Sequence, residues 1–395
     1  MSEIDTIGHW SNTSMVFFII LGIYSVWTIG KIKEQESKNI HKPLNYPLIS
    51  YVVIMALFAA FRLVNNKVGG TDASAYIHMF EHANTAYYQN DEWFLHNDVL
   101  FRYIVKGLRY LFTEYRIYFF LIYAFNTLSW ILFLKTFCLK ESNYIPCILV
   151  VFLYWISFNT LRSSFAYSVF LLSLILLYRK KYTWAILTAV SSILIHKMAA
   201  LYIMFLPFYF IFTHIRLTRL RIVALATSAV ITSQLIQLYF VSFTSNVDLG
   251  GAYHYYASSQ IGTSFWANDW KIAFGQLLLG IAMWLYYKKT RLYRLTLSTH
   301  DRSKLAFIWT LCIFDLLCIP LNSALGIWRG YEFFYLARII MWCNLLHMFI
   351  LSTPKYYHLS IKIITTTVVI LWIVFRFYNM WQDANLMPYI FEPFI

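Results

Sequence analysis

The segment 194–200, LIHKMAA, places His196 beside Lys197 inside a run from 182 to 212 that otherwise contains no charged side chain. An imidazole exchanges a proton near neutral pH and can act as a general base, and a lysine ammonium offers a point charge to a phosphate. The alternative is a histidine with a purely structural role. Because ionisable residues are costly inside apolar segments and mark functional sites there, the pair predicts a catalytic base with an anion-binding neighbour.

Asp72 is the second residue whose type and setting suggest chemistry. It follows Gly69 and Gly70, which free the backbone to turn, and it precedes a short amphipathic segment. Its carboxylate could bind a sugar hydroxyl or serve as a base. The alternative is that Thr71 or Asp72 only caps the helix that follows.

Four arginines are candidate ligands for a diphosphate, because a guanidinium offers a bidentate fork to phosphate oxygens. They are Arg62, Arg162, Arg329 and Arg338. Each has a structural alternative. Arg162 could mark a helix end by extending to the membrane surface, and Arg329 could pair with Glu332 three residues on. Arg338 lies inside an apolar segment and could pair with Asp315.

The elements that must position these residues are membrane helices. Hydrophobic residues make up 60% of the chain and charged residues 13%, against roughly 25% in soluble domains. The sequence predicts an all-α polytopic membrane protein, a single integral membrane domain over residues 1–395, with about twelve spans of near 20 residues. The predicted spans are 15–30, 46–64, 117–134, 144–160, 163–178, 182–196, 198–213, 222–243, 272–287, 305–322, 333–352 and 361–378.

The distribution of basic residues predicts the orientation of these spans. Alternate connections carry 20 of the 32 basic residues, so these connections face the cytoplasm and both termini lie outside. The run 182–212 then crosses twice and turns at His196-Lys197 near the outer surface. The two longest outer loops, about 65–116 and 244–271, are where sites tend to lie. The clustering of basic residues between spans also explains the net charge of +14, so nucleic-acid binding is not expected. The five cysteines show no metal-ligand spacing, so a zinc site is not expected either.

Taken in order, these features resemble a known family, the Wzy-type bacterial O-antigen, capsule and exopolysaccharide polymerases, specifically their EpsG-like branch. The elements that carry the resemblance are Arg62 before a G-x-D-x-x-x-Y element (Gly70, Asp72, Tyr76), the segment LRSSFAYSVFLLSLILL, the turn LIHKMAAL, and a late A-R-I-x-x-aromatic helix (Ala337, Arg338, Ile339, Trp342). They extend over about residues 50–350. Ser163 departs from the pattern, since it stands where the family usually has glutamine.

The resemblance implies a GT-C-like, metal-independent glycosyltransferase with no cofactor. Such enzymes transfer a growing glycan from undecaprenyl diphosphate to the non-reducing end of a lipid-linked repeat unit. They do so at the outer face of the bacterial inner membrane, facing the periplasm or cell exterior. The implied partners are the undecaprenyl diphosphate-linked oligosaccharide, membrane lipids, and a chain-length regulator and flippase of the same pathway. No Asp-x-Asp pair is present, so Arg162 and Arg338 are expected to stabilise the leaving diphosphate.

Two other functions remain open. A flippase or transporter for the same lipid-linked unit is the first, although transporters tend to show internal repeats and ionisable groups at the midplane. The second is another GT-C-type glycosyltransferase that uses a monosaccharide lipid donor. Such enzymes usually carry an acidic pair on their first outer loop, where this chain has Asp72, Glu81, Asp91, Glu92 and Asp98.

Overall fold

A computed structural model of the protein describes residues 12–37, 46–64, 69–70, 72–85, 98–138, 157–214, 227–228, 231, 281, 297–324, 333–351 and 353–384. The described helices are α1 (Asn12–Ser37), α2 (Tyr46–Ala60), α3 (Ala73–His82), α4 (Val99–Leu111), α5 (Tyr115–Phe137), α6 (Leu161–Tyr178), α7 (Tyr182–Ile195), α8 (Ala199–Ile203), α9 (Phe205–His214), α10 (Thr299–Ala324), α11 (Tyr335–Leu351) and α12 (His358–Ala384). Single 3-10 turns occur at Ser157–Asn159 and Lys355–Tyr357. These residues contain no β-strand, which confirms the all-α class.

Two of the described helices, α5 and α6, are long and apolar enough to cross a membrane. Their 23 and 18 residues correspond to about 35 and 27 Å at 1.5 Å per residue, close to the ~30 Å hydrocarbon core. Shorter apolar helices cover Ile19–Ile32, α2, α7 and Tyr335–Ile350. The count of about twelve spans is not confirmed, since most of 144–160 and nearly all of 222–243 and 272–287 lie outside the described residues.

The predicted hairpin around His196-Lys197 is present, but its second arm is not one helix. The chain leaves α7 at Ile195, turns, and re-enters helix as α8, which stops at Ile203 before α9 begins at Phe205. Pro207 explains the break. It has no N–H to donate to the carbonyl of Ile203, and its ring clashes with that carbonyl in a continuous helix. The predicted span 198–213 is therefore two short helices.

Helix α5 lies against α2, α6, α10 and α11, and its contact with α6 contains buried hydrogen bonds. Asn126 Nδ2 donates to Ser164 Oγ at 3.1 Å, and Trp130 Nε1 donates to Ser168 Oγ at 2.9 Å. Small serines let the two helices approach closely and satisfy polar groups that no water reaches. These bonds fix the position of α6, whose first turn carries Arg162.

Three of the predicted cytoplasmic basic clusters lie at one end of the described helices. At the end of α6, the ring of Tyr178 lies 6.5 Å from that of His300 and 5.5 Å from that of Phe307, and Phe307 stacks on Phe137 at 5.0 Å. The basic groups near residues 135, 179–181 and 302–304 therefore meet at one end. Arg162 lies at the opposite end of α6. Which side of the membrane each end faces remains a prediction.

Candidate functional site

The carboxylate of Asp98 connects three segments of the chain that are far apart in sequence. Its Oδ2 lies 3.2 Å from Nδ1 of His196 and 3.5 Å from Nη1 of Arg162. Its Oδ1 accepts a hydrogen bond of 3.2 Å from the backbone N–H of Lys197. Asp98 is only 4% exposed, so its charge interacts with these partners with little screening by water. We call Asp98, Arg162 and His196 the carboxylate cluster.

His196 reaches this cluster because α7 ends immediately before it. Its backbone is extended, with φ −155° and ψ 115°, while its N–H still donates to the carbonyl of Ser192 at 2.9 Å. The carbonyls of His196 and Lys197 then accept from Ala199 and Ala200, which closes the turn. The imidazole is buried, whereas the Lys197 side chain is exposed. The two neighbours therefore occupy different environments.

Arg162 is the second residue of α6, a position that is unfavourable for a cation because the helix N-terminus carries partial positive charge. The nearby Asp98 carboxylate offsets both the charge of the guanidinium and the partial positive charge of the helix N-terminus. Nη1 of Arg162 faces this carboxylate, and the guanidinium carries five N–H donors in a fixed plane. Its side chain is 20% exposed, so the group is not sealed in the core. Arg162 thus lies at the start of α6, where the sequence predicts it, and its role as a diphosphate ligand stays a prediction.

The contact between Asp98 and His196 determines what the imidazole can do. A carboxylate beside Nδ1 favours the tautomer in which Nδ1 carries the proton and Nε2 carries the lone pair. In that state Nε2 is the proton acceptor, and Asp98 stabilises the imidazolium that forms after proton transfer. Nε2 is itself buried in this structure, so the imidazole can act as a general base only once a substrate hydroxyl has entered the space beside it.

Asp72 is located at the N-cap position of α3, as its alternative interpretation predicts, but its side chain makes no capping hydrogen bond. Its backbone N–H donates to Oδ1 of Asn159 at 2.9 Å. Asn159 lies three residues before Arg162, so the loop of Asp72 is attached to the segment that leads into the carboxylate cluster. The carboxylate of Asp72 is partly exposed.

Arg62 is almost entirely buried, at 1% exposure, and its guanidinium binds backbone carbonyls. Nε donates to Gly69 and Nη2 to Phe158, each at 3.1 Å, and Nη1 donates to Ala59. The group also lies over the Phe158 ring, 4.4 Å from its centroid. These contacts connect the end of α2 to the turn before α6. They favour a structural role for Arg62 over direct contact with a diphosphate.

Gly70 packs against the same turn as Arg62. Its φ is +105°, and a Cβ at this position would lie 3.0 Å from the carbonyl oxygen of Phe158. A side chain would be strained in this conformation and crowded against that carbonyl. The glycine in the G-x-D element therefore permits a close approach of two backbones.

Arg338 forms the ion pair with Asp315 that the sequence offered as the alternative to diphosphate binding. Nε lies 2.5 Å from Oδ2 and Nη2 lies 2.7 Å from Oδ1, and Asp315 is fully buried. The pair joins α10 to α11. A bidentate pair of this kind favours a structural role, because the carboxylate already occupies the fork that a phosphate would need. Arg329 lies outside the described residues, as does the second outer loop.

Two contacts that hold the site together could not be predicted from the sequence. Asp98 is one of six acids in the first long loop, 65–116, and nothing in its spacing separates it from the others. The available signal was charge balance, since Arg162 and His196 needed a nearby anion. Tyr167 is the second, because its hydroxyl accepts the backbone N–H of Leu336 at 3.2 Å and so attaches the first turn of α11 to α6.

The described residues contain no group of three or more histidine, cysteine or acidic side chains that could hold a metal ion. The chain matches the profile of the EpsG family over residues 45–391, which is most of its length. No curated protein and no solved structure matches it. With the helical fold and the ordered Arg62, Asp72, Arg162, His196 and Arg338 elements, this match shows that the chain belongs to the EpsG family.

Proposed function

We propose that this EpsG family protein is a polysaccharide polymerase. It transfers a growing glycan from undecaprenyl diphosphate to the non-reducing end of a lipid-linked repeat unit. The observation that carries the proposal is the carboxylate cluster, which provides a base and a cation at one end of the membrane helices. Family membership supports polysaccharide synthesis as the process.

His196 is the proposed catalytic base. Its Nε2 accepts the proton of the attacking sugar hydroxyl while the hydroxyl oxygen forms a bond to the anomeric carbon of the donor. Asp98 is a positioning residue, since it acts through the Nδ1 of His196 and not on the substrate. The proton passes from the imidazolium to water before the next transfer. Asp72 remains the alternative base.

Arg162 is the proposed stabiliser of the leaving group. The bond between the anomeric carbon and the diphosphate oxygen breaks, and its electron pair stays on undecaprenyl diphosphate. A planar guanidinium stabilises this developing charge through two parallel hydrogen bonds. Lys197 adds a second cation, and its exposed side chain makes its effect weaker through screening.

The other predicted anion ligands have unequal support. Arg329 remains a proposed ligand for the diphosphate. The buried carbonyl contacts of Arg62 and the ion pair of Arg338 support positioning roles for these two arginines. Catalysis without a metal or cofactor is part of the proposal, because a guanidinium and an ammonium can supply the positive charge that a metal supplies elsewhere.

The reaction is proposed to occur at the outer face of the bacterial inner membrane, with the site facing the periplasm or exterior and both termini outside. The positive-inside rule supports this orientation, because the basic groups at residues 179–181 and 302–304 lie at the end opposite Arg162. A chain-length regulator and a flippase of the same pathway are the proposed protein partners.

Deleting the gene and examining surface polysaccharide tests the function in cells. If the protein is a polymerase, the deletion strain should carry chains of only one repeat unit. Complete loss of polysaccharide would instead indicate a flippase or an earlier transferase. Complementation with the wild-type gene should restore long chains. His196→Gln should not restore them. His300→Gln should restore them fully, because His300 belongs to α10 and lies near the end of α6 that is opposite Arg162.

A further inference from the structure

Helix α4, which belongs to neither the carboxylate cluster nor a predicted span, runs across one end of the helix bundle. It begins directly after Asp98, which binds the start of α6 and the turn after α7. It ends at Leu111, and three residues separate it from α5, which begins at Tyr115. Both ends of α4 are thus attached to the same end of candidate membrane helices. Its 13 residues, about 20 Å long, are too few to span the ~30 Å hydrocarbon core.

One face of α4 packs onto the protein. Phe101 and Val105 are fully buried, and the ring of Phe101 meets that of Tyr76 from α3 edge-on at 6.0 Å. The helix also packs against α5 and α7. These contacts fix which side of α4 faces outward.

The outward face of α4 is apolar and aromatic to a degree that is unusual for a surface in water. Tyr110 is 84% exposed, Tyr103 and Leu111 are each 68% exposed, and Lys106 lies between the two tyrosines. Tyr103 and Tyr110 are seven residues apart, two helical turns, so they project from the same side. A tyrosine has an apolar ring and a polar tip, which suits the boundary between lipid chains and headgroups.

The charges of α4 have one sign. Its three charged residues are Arg102, Lys106 and Arg109, and Val99–Leu111 contains no acid. Amphipathic helices that combine aromatic side chains with basic residues lie in the membrane interface, where the cations attract anionic headgroups. Charge complementarity therefore selects an anionic lipid surface as the occupant of this face.

We propose that the outward face of α4 lies in the headgroup layer of the membrane and binds anionic phospholipid headgroups through Lys106, with Tyr103 and Tyr110 in the interface. Because Asp98 immediately precedes α4, this docking also sets the depth of the carboxylate cluster. The cluster then lies at the level where the polar head of a membrane lipid is found.

Depth measurements on the full-length protein in vesicles containing phosphatidylglycerol and phosphatidylcholine test the proposal. A nitroxide attached to Tyr110→Cys should be relaxed more by oxygen, which concentrates in lipid, than by a water-soluble nickel chelate. Tyr103→Cys should behave in the same way. Asn84→Cys, exposed after the end of α3, is the control and should favour the nickel chelate. Equal nickel accessibility at residues 110 and 84 would overturn the proposal, as would protection of residue 110 from both reagents, which indicates a protein partner.

The charge contribution is tested with spin-labelled lipids. Lys106→Glu should reduce the preference of the protein for spin-labelled phosphatidylglycerol over phosphatidylcholine, whereas Lys106→Arg should preserve it. An unchanged preference in Lys106→Glu would contradict the assignment of anionic lipid to this face. Neither measurement depends on polymerase activity.

Discussion

Nδ1 of His196 lies 3.2 Å from Oδ2 of Asp98, although 98 positions separate the two residues along the chain. The same oxygen lies 3.5 Å from the guanidinium of Arg162. One buried carboxylate therefore orients the proposed base and holds the proposed diphosphate ligand beside it. The predictions below test the separate contributions of these three residues and of the structure around them.

Asp98→Asn should lower kcat by about 10²–10⁴-fold, well beyond the smaller rise in KM for the lipid donor that follows from loosening Arg162. The asparagine can direct its amide N–H toward Nδ1, which moves the imidazole proton to Nε2 and removes the base. Single-turnover kinetics with purified protein measure this separation of kcat from KM. Asp301→Asn is the matched control, because Asp301 caps the start of α10 with Ser298 at the opposite end of the bundle. Equal loss in both variants would contradict the role of Asp98.

Arg162→Lys should lower kcat/KM for the lipid donor about tenfold, which corresponds to about 1.4 kcal/mol of lost transition-state stabilisation. Lysine keeps the charge but loses the bidentate fork. Titration of the purified variant with lipid-linked donor measures the change, and Arg302→Lys, an exposed arginine in α10, is the control. An unchanged kcat/KM in Arg162→Lys would show that Arg162 contributes at most a point charge.

Arg338→Ala should destabilise the protein by about 3–5 kcal/mol, because it leaves the Asp315 carboxylate buried without its counter-ion. Replacing both residues, as Arg338→Ala with Asp315→Ala, should recover much of that stability. Thermal unfolding in detergent measures both changes. A stable but inactive Arg338→Ala protein would instead support direct binding of the diphosphate by Arg338.

The orientation predicts different labelling at the two ends of α6. Cys147 is first replaced by serine so that it cannot react with the reagent. In this background Lys197→Cys, at an exposed position, should react with a membrane-impermeant thiol reagent in whole cells. A cysteine replacing the exposed His300 should react only after the cells are broken. The reverse pattern would invert the orientation and place the carboxylate cluster in the cytoplasm.

The helices and the hairpin were predictable because apolar length and basic clusters depend on local sequence alone. His196-Lys197 had to turn, since the clusters on either side of 182–212 require an even number of crossings. The break at Met204 was also readable in principle, because Pro207 prevents a bond to Ile203. Helix α4 is not evident from apolar length, because its 13 residues carry three basic side chains among the apolar ones.

The partners within the site could not be predicted, because they depend on which distant segments meet. Nothing near Arg62 in sequence identifies the carbonyl of Phe158, 96 residues away, as its acceptor. In the sequence nothing distinguishes Asp98 from the five other acids of the loop 65–116, and only the fold places it beside His196. Asp315 and Arg338 were linked beforehand only because charges inside spans have few possible partners.

The most direct test uses purified protein in vesicles, supplied with a fluorescent lipid-linked repeat unit and observed for chain extension. The wild-type protein should produce a ladder of products separated by one repeat unit. His196→Gln, which forms hydrogen bonds but accepts no proton at neutral pH, should bind the lipid normally and extend it about 10²–10⁴-fold more slowly, while His300→Gln extends it normally. Extension by His196→Gln at the wild-type rate would contradict the catalytic role of the carboxylate cluster, and no extension by the wild-type protein with its correct repeat unit would contradict the polymerase function itself.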